Sequence, residues 1–314
     1  MRRYFGEYMN FLLSDHDNSE IAIGTNGLGA DWDRMHDYLS QVGENKIAYD
    51  FEAYDKRLPF QLIEASIPVI EDYYKTVAIL TGEEYDPQHA VARRNLLLGV
   101  GHAFYIVQQT VFHTPYGNPS GQALTTQLNC LVNQFLIRLA FMAIMGPDYR
   151  YEDHVRCKVY GDDFAAKVSD AVAGKFNFRT IKKYFADNHI KITWPNKYCA
   201  DKEEDFCDDK DFTFLKRSFA RDPKTGFICG PLDWETIMEM PQWIRKVMDP
   251  VTMTIEVLEN ALIEATAHGE DKFNELVSFF SEKILMNLPG YQVPSFEHFN
   301  NIIVTGKQIG RAHV

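Results

Sequence analysis

The chain is 314 residues long, 46% hydrophobic and 24% charged, with a formal net charge of -12 at pH 7, the composition of an ordinary folded protein of about two domains. A balance this acidic argues against non-specific nucleic-acid binding by the chain as a whole. No apolar run reaches membrane-spanning length, since the longest, Leu131 to Met145, is interrupted by Asn133, Gln134 and Arg138, and Met1-Arg2-Arg3 leads into polar and aromatic residues and not into a signal-peptide core.

Taken in order, Arg3–Leu13 reads as an aromatic-rich helix, followed by a polar turn at Ser14–Glu20 and a glycine-rich loop at Gly24–Gly29. Asp31 caps a helix running to about Val42. Lys46–Phe51 is a short buried strand containing Asp50 near its end, and Asp55 lies at the mouth of a helix with Pro59 in its first turn. Leu62, Ile63, Ile67, Ile70 and Tyr74 give that helix an apolar stripe. Residues 97–113 read as extended, and Tyr116–Gly121 is dense in turn residues. A long helix then carries Leu124, Leu128, Leu131, Phe135, Leu139 and Met142 on one face.

Next comes the most informative stretch. His154, Arg156 and Lys158 alternate with Val155, Cys157 and Val159, and Phe164, Ala166 and Val168 alternate with Ala165 and Lys167. These are two strands joined through Gly161-Asp162 in a hairpin. Beyond it, Phe178–Asn188 is helical, Ile190–Thr193 a strand, and Asp201–Asp211 a charged, exposed loop. Phe212–Arg217 alternates like another strand, with Phe227-Ile228 as its partner, and from Pro231 to about Leu288 the pattern is helical. The fold class is α+β: an antiparallel sheet backed by helices, with a helical C-terminal segment. Cys130, Cys157, Cys199, Cys207 and Cys229 are odd in number and lack paired zinc spacing, so they read as reduced thiols.

The hairpin holds Asp162 and Asp163 side by side. Adjacent carboxylates repel unless a cation lies between them, and a divalent ion with oxygen ligands meets that need. Alone, Val159-Tyr160-Gly161-Asp162-Asp163 is equally a solvated acidic turn. Together with Asp50 it offers three strand-end carboxylates, the donor set of two-metal nucleotidyl transfer. Thr125 and Asn129 share a helix face near Ser120, and with Asp55 an amide and a carboxylate could hydrogen-bond a ribose 2′-hydroxyl. Taken singly, Ser120 is more simply a helix cap and Asn129 a half-buried amide.

Four motifs in order over about residues 24–220 carry a resemblance. Asp50-Phe51-Glu52-Ala53-Tyr54-Asp55 resembles the first palm motif of viral RNA-dependent RNA polymerases. Asn118-Pro119-Ser120-Gly121, with Thr125 and Asn129, is similar to their second. Tyr160-Gly161-Asp162-Asp163 resembles the third, and Phe214-Leu215-Lys216-Arg217 the primer-grip hairpin. The form of the second and last motifs points to picornavirus-like plus-strand RNA viruses, toward the dicistrovirus and marnavirus relatives.

The resemblance implies a polymerase palm with partial fingers and a helical thumb, and replication of an RNA genome by RNA-templated synthesis. It implies Mg2+ (or Mn2+) at Asp50, Asp162 and Asp163. Asp55, Ser120, Gly121, Thr125 and Asn129 would bind the incoming nucleotide, and Lys197 would protonate the departing pyrophosphate. Tyr160, Lys216 and Arg217 would contact RNA. The implied partners are an RNA template and product strand, nucleoside triphosphates, the rest of the fingers and other viral replication proteins. The implied location is the host-cell cytoplasm at membrane-associated replication complexes, as part of a viral polyprotein.

The expected division is partial fingers at 1–45, palm at 46–229 with a fingers-proximal insertion, thumb at 230–304, and a non-native tail at 305–314, where Gln308–Val314 resembles a translated sequencing adapter. The basic fingers element of the family does not precede Asp50 here, so the chain reads as a truncated core that polymerises poorly by itself. Positive charge is local, at Lys175, Arg179, Lys182, Lys183, Lys191, Lys197, Lys216, Arg217, Arg221 and Lys224. Two other readings stand beside this one. A reverse transcriptase also carries a tyrosine with paired aspartates, and a palm without activity could act as an RNA-binding or assembly module.

Overall fold

A computed structural model describes residues 1–114, 116–196, 199–222, 226–243, 249–284 and 290–305. It divides into two units: Met1–Thr25 with Tyr38–Leu215, and Asn26–Asp37 with Lys216–Val314. The cut is not linear along the chain.

The first unit is built on a four-stranded antiparallel sheet. Its order is β4 (Val155–Tyr160), β5 (Asp163–Val168), β1 (Asn45–Phe51), β6 (Ile192–Thr193). Alternation along β1 turns Tyr49 and Phe51 to one face. There Tyr49 stacks on Phe164 of β5 at 4.5 Å between ring centroids, and Phe185 of α9 (Phe178–Asp187) meets both Tyr49 and Phe51. Asn177 caps α9 reciprocally with Thr180.

The long helix α6 (Thr125–Met145) packs against α9 and β4, and the short helices α7 (Tyr151–His154) and α8 (Asp170–Ala173) precede and follow the β4–β5 hairpin. By length and composition α6 could cross a membrane, which its interruption by Asn133, Gln134 and Arg138 did not anticipate. In this fold it is a core helix, burying Leu128, Leu131, Val132, Leu136, Ile137, Ala140 and Phe141.

On the chain-order reading, α1 (Arg2–Ser14) stands where expected, whereas α2 (Ala30–Leu39) begins before Asp31, which lies in its first turn and is not its cap, and ends short of Val42. The helix after Asp55 is two pieces, α3 (Tyr54–Arg57) and α4 (Phe60–Thr81), because Pro59 is the N-cap of α4 and lies outside its first turn. The extended reading of 97–113 holds only from Ala103. α5 (Pro87–Gly101) precedes a separate hairpin, β2 (Ala103–Val107) with β3 (Thr110–Thr114).

Asp201–Asp211 is not simply an exposed loop. Cys207 and Asp211 are buried, and the Cys207 N–H donates to the Lys46 carbonyl at 2.8 Å. Asp211 accepts from Trp194 Nε1 (2.8 Å), Asn196 Nδ2 (3.2 Å) and Lys202 Nζ (2.9 Å). Burial alone would raise its pKa; those three donors outweigh it and hold the carboxyl below its ordinary value. The basic residues nearby are not a bare patch either, since Arg179 pairs with Asp205, Lys182 with Glu203, Lys183 with Asp187 and Lys191 with Glu52.

Two lysines on the hairpin strands are fully buried. Lys167 donates to Ser40 Oγ (2.7 Å) and Glu44 Oε2 (2.6 Å). Lys158 donates to the carbonyls of His16 (2.7 Å), Asp17 (3.3 Å) and Ser19 (2.6 Å), tying the Ser14–Glu20 turn to β4. Burial lowers the Lys158 pKa to about 8. Between about 8 and the ordinary lysine value the unfolded chain therefore binds more protons, and stability rises with pH across that window. The unfolding free energy of the wild type relative to Lys158→Met should rise by about 3 kcal/mol between pH 7 and pH 10.5. Urea titrations at the two pH values measure this, and a pH-independent difference would contradict it.

The second unit carries the short hairpin β7 (Ala220–Arg221) with β8 (Ile228–Cys229), and helices α10 (Trp234–Glu239), α11 (Pro250–Thr266), α12 (Glu270–Lys283) and α13 (Phe296–Thr305). Leu258, Leu262, Phe273, Leu276, Phe280 and Phe299 form its core. Residues 26–37 belong here: Trp32 Nε1 donates to the Ser218 carbonyl (3.1 Å), and the Ile228 N–H donates to Asp33 (2.7 Å).

Phe212–Arg217 is not a strand. Leu215 and Lys216 sit at φ 54° and 58°, a left-handed pair that breaks any ladder. The hairpin therefore begins later than expected, at Ala220, although Ile228 is a strand residue as read. The five cysteines are free thiols. Residues 306–314 of the expected tail lie outside the described residues.

Candidate active site

The register of the sheet assembles the acidic residues. Tyr160 pairs with Asp163 across the hairpin, Tyr49 pairs with Phe164, and Asp50 pairs with Thr193. Asp50 is one step past Tyr49, and Asp163 one step before Phe164 on the antiparallel neighbour. Tyr160, Asp163, Asp50 and Thr193 therefore form one row across all four strands. Directly opposed residues share a face, with Cβ atoms about 5 Å apart. That face is the one opposite Tyr49, Phe51 and Phe164, and away from Phe185. Asp162 is the next residue, in the turn itself. Asp50, Asp162 and Asp163 are each half-buried.

The turn needs Gly161, whose φ of +65° lies in the left-handed region. It is supported from below by α6. Asn133 Nδ2 lies 3.2 Å from the carbonyls of both Gly161 and Asp162 and 3.5 Å from that of Asp163. The Gly161 N–H donates to Cys130 Sγ at 3.0 Å. Burial, reinforced by Asp162, pushes the Cys130 thiol up to about 12, so the sulfur keeps its proton at neutral pH. Neither Cys130 nor Asn133 was among the expected site residues. Their signal was a pair of polar-capable positions, one turn apart, among the buried residues of α6.

Beside the row, Ala53 at φ 56° turns the chain from β1 into α3 and brings Asp55 toward α6. Asn129 Nδ2 donates to Asp55 Oδ1 (3.2 Å), and Asn129 Oδ1 accepts from Asn118 Nδ2 (2.8 Å). Asn118 Oδ1 in turn accepts from Gln122 Nε2 (3.0 Å), and Tyr54 OH donates to the Asn129 carbonyl (2.8 Å). The loop lies close on α3, because the Gly117 and Asn118 N–H groups donate to the Leu58 and Asp55 carbonyls. A Cβ at Gly117 would come within 2.5 Å of the Asp55 carbonyl oxygen.

Asp55 and Asn129 are thus hydrogen-bonded directly, and Asn118 and Gln122 extend the network from the Asn129 amide; Gln122 was not among the expected site residues. Thr125 turns its hydroxyl back to the Pro119 and Gln122 carbonyls (2.9 and 3.0 Å). Ser120 and Gly121 are exposed in the loop, and Ser120 does not cap α6, which starts after Leu124.

The remaining expected residues divide. Tyr160 is half-buried in the row. Lys197 lies outside the described residues. Lys216 is exposed. Arg217 is not: it forms a two-pronged ion pair with Glu264 of α11 (2.8 and 2.6 Å) and donates to the Gly230 carbonyl (2.8 Å). Its guanidinium is engaged by these partners within the second unit.

As a donor set, three carboxylates on adjoining strand ends supply hard oxygen ligands, which suits Mg2+ or Mn2+ and not a soft metal. Residues of this kind can hold divalent ions and, through them, phosphate oxygens.

The family model for viral RNA-dependent RNA polymerase matches residues 1–285. The chain is 29% identical over 291 residues to the replicase polyprotein of acute bee paralysis virus, covering 88% of this chain and 15% of that protein. It is 26% identical over 305 residues to the Drosophila C virus replicase polyprotein, covering 92% and 17%. The chain therefore spans less than a fifth of these relatives. Its fold matches the sicinivirus 3Dpol RNA-dependent RNA polymerase at TM-score 0.77 and 19% identity, over 96% of this chain and 59% of that one. The chain belongs to the viral RNA-dependent RNA polymerase family.

Proposed function

We propose that this chain is the catalytic core of an RNA-templated RNA polymerase of a picornavirus-like plus-strand RNA virus. The observation that carries the reading is the row Tyr160–Asp163–Asp50–Thr193 with Asp162 in the adjoining turn. Asp50, Asp162 and Asp163 would hold the metal ions, which when bound neutralise phosphate charge and favour attack by the primer 3′-hydroxyl. The protein's own part is to hold the carboxylates at one level, present the nucleotide sugar to Asp55 and Asn129, and offer Lys216 to the product strand. Lys197 is assigned to proton donation on the resemblance alone. Residues 46–229 are assigned as palm, 230–304 as thumb and 1–45 as part of the fingers. The family relatives are segments of viral polyproteins, and this chain is read as acting within such a product in the infected cell.

Ribose selection tests the reading. Asp55 is exposed with one carboxylate oxygen engaged by Asn129, so it can accept from a 2′-hydroxyl while the amide fixes its orientation. The polymerase containing this chain should prefer GTP to dGTP on an RNA template, and Asn129→Ala should reduce that preference by about tenfold or more, roughly the loss of one hydrogen bond to a charged group. Preference for dGTP would favour the reverse-transcriptase reading. RNA binding without incorporation of either would favour an inactive module.

A further inference from the structure

Asn133 is a poor residue to bury for stability. Its side chain is fully buried, and its Oδ1 has no hydrogen-bond partner among the described residues. A buried acceptor left unpaired is destabilising, and a leucine of the same branched shape would avoid the penalty. What the amide supplies is directional: its Nδ2 faces the three successive carbonyls of Gly161, Asp162 and Asp163. One helical turn earlier on the same face, Cys130 Sγ accepts the Gly161 N–H. The turn is thus held from α6 by a donor to its carbonyls and an acceptor from its N–H.

We infer that Asn133 and Cys130 are positioning residues that fix the backbone of the Gly161–Asp163 turn, and thereby the separation of the Asp162 and Asp163 carboxylates from Asp50. This rests on the metal-binding reading of those aspartates. Neither residue touches the ions. A turn carrying two adjacent carboxylates would splay under their mutual repulsion, and a backbone held from α6 resists that. Residues that orient metal ligands affect metal affinity by about 10- to 100-fold.

The test uses Mn2+ binding to the 314-residue chain, followed by electron paramagnetic resonance, with amide hydrogen exchange at Gly161 as a readout independent of activity. Asn133→Leu should raise the half-saturating Mn2+ concentration about tenfold or more. Cys130→Ala should speed Gly161 exchange, and Cys130→Ser, whose hydroxyl can still accept, should restore it. Should Asn133→Leu not fold, Asn133→Ser, too short to reach the carbonyls, carries the same expectation. Asp50→Ala serves as the control for the underlying reading. If Asp50→Ala weakens Mn2+ binding while the folded Asn133 variant leaves it within twofold, the positioning role is overturned and the metal site stands. If Asp50→Ala also leaves binding unchanged, the metal reading falls, and the inference with it.

Discussion

Asp162→Ala in the polymerase containing this chain is expected to lower RNA elongation by at least about a thousandfold, equivalent to about 4 kcal/mol of transition-state stabilisation. RNA binding and melting temperature should change little. The expectation follows from the position of Asp162: it is half-buried in the turn next to the row, and contributes nothing to the aromatic core on the opposite face. Asp163→Ala should have a smaller effect than Asp162→Ala. Undiminished elongation by the Asp162 variant, measured by primer extension on an RNA template, would overturn the assignment.

The second large effect belongs to stability. Arg217 and Glu264 each have side chains 17% exposed and form a two-pronged pair, with Gly230 as a third partner. Removing one member leaves a largely buried charge unpaired, for which about 3 kcal/mol is the expected loss. Arg217→Met and Glu264→Met should each destabilise the second unit by about that amount, whereas the double variant, which leaves no orphan charge, should recover most of it. Guanidinium titrations of the three variants provide the check. Equal losses in the single and double variants would show that the side chains act by packing and not as a pair. If Arg217 acted mainly as an RNA contact, Arg217→Met would weaken RNA binding without lowering stability.

Much of the site was legible because its signals are local. β1 announces itself as a short buried run, the β4–β5 hairpin by period-two alternation and Gly161-Asp162 by turn chemistry, so Asp50 and Asp162 could be named before their register was known. What the pattern could not supply was distance between remote segments. Lys158 looked like the solvent-facing member of an alternating strand, yet its ammonium group is buried against carbonyls of residues 16, 17 and 19. Asp211 looked like part of a charged loop until Trp194, Asn196 and Lys202 converged on it.

Phe212–Arg217 misled for a different reason. Its alternation is genuine, and Phe212 and Phe214 are buried, but Leu215 and Lys216 adopt left-handed angles that neither residue type advertises. Arg217 was read as a surface cation because its partner, Glu264, is 47 positions away. Asn133 was visible only as an interruption of an apolar run, and its task depends on a turn 28 residues on.

Whether Asp50 and the hairpin turn share bound metal is decided by a double-variant cycle on Mn2+ affinity. Asp50→Ala, Asp162→Ala and the combined variant of the 314-residue chain would be titrated with Mn2+ in the absence of RNA. The account predicts that each single substitution weakens binding nearly as much as the pair, because either one dismantles the same site. Losses that add independently would contradict it.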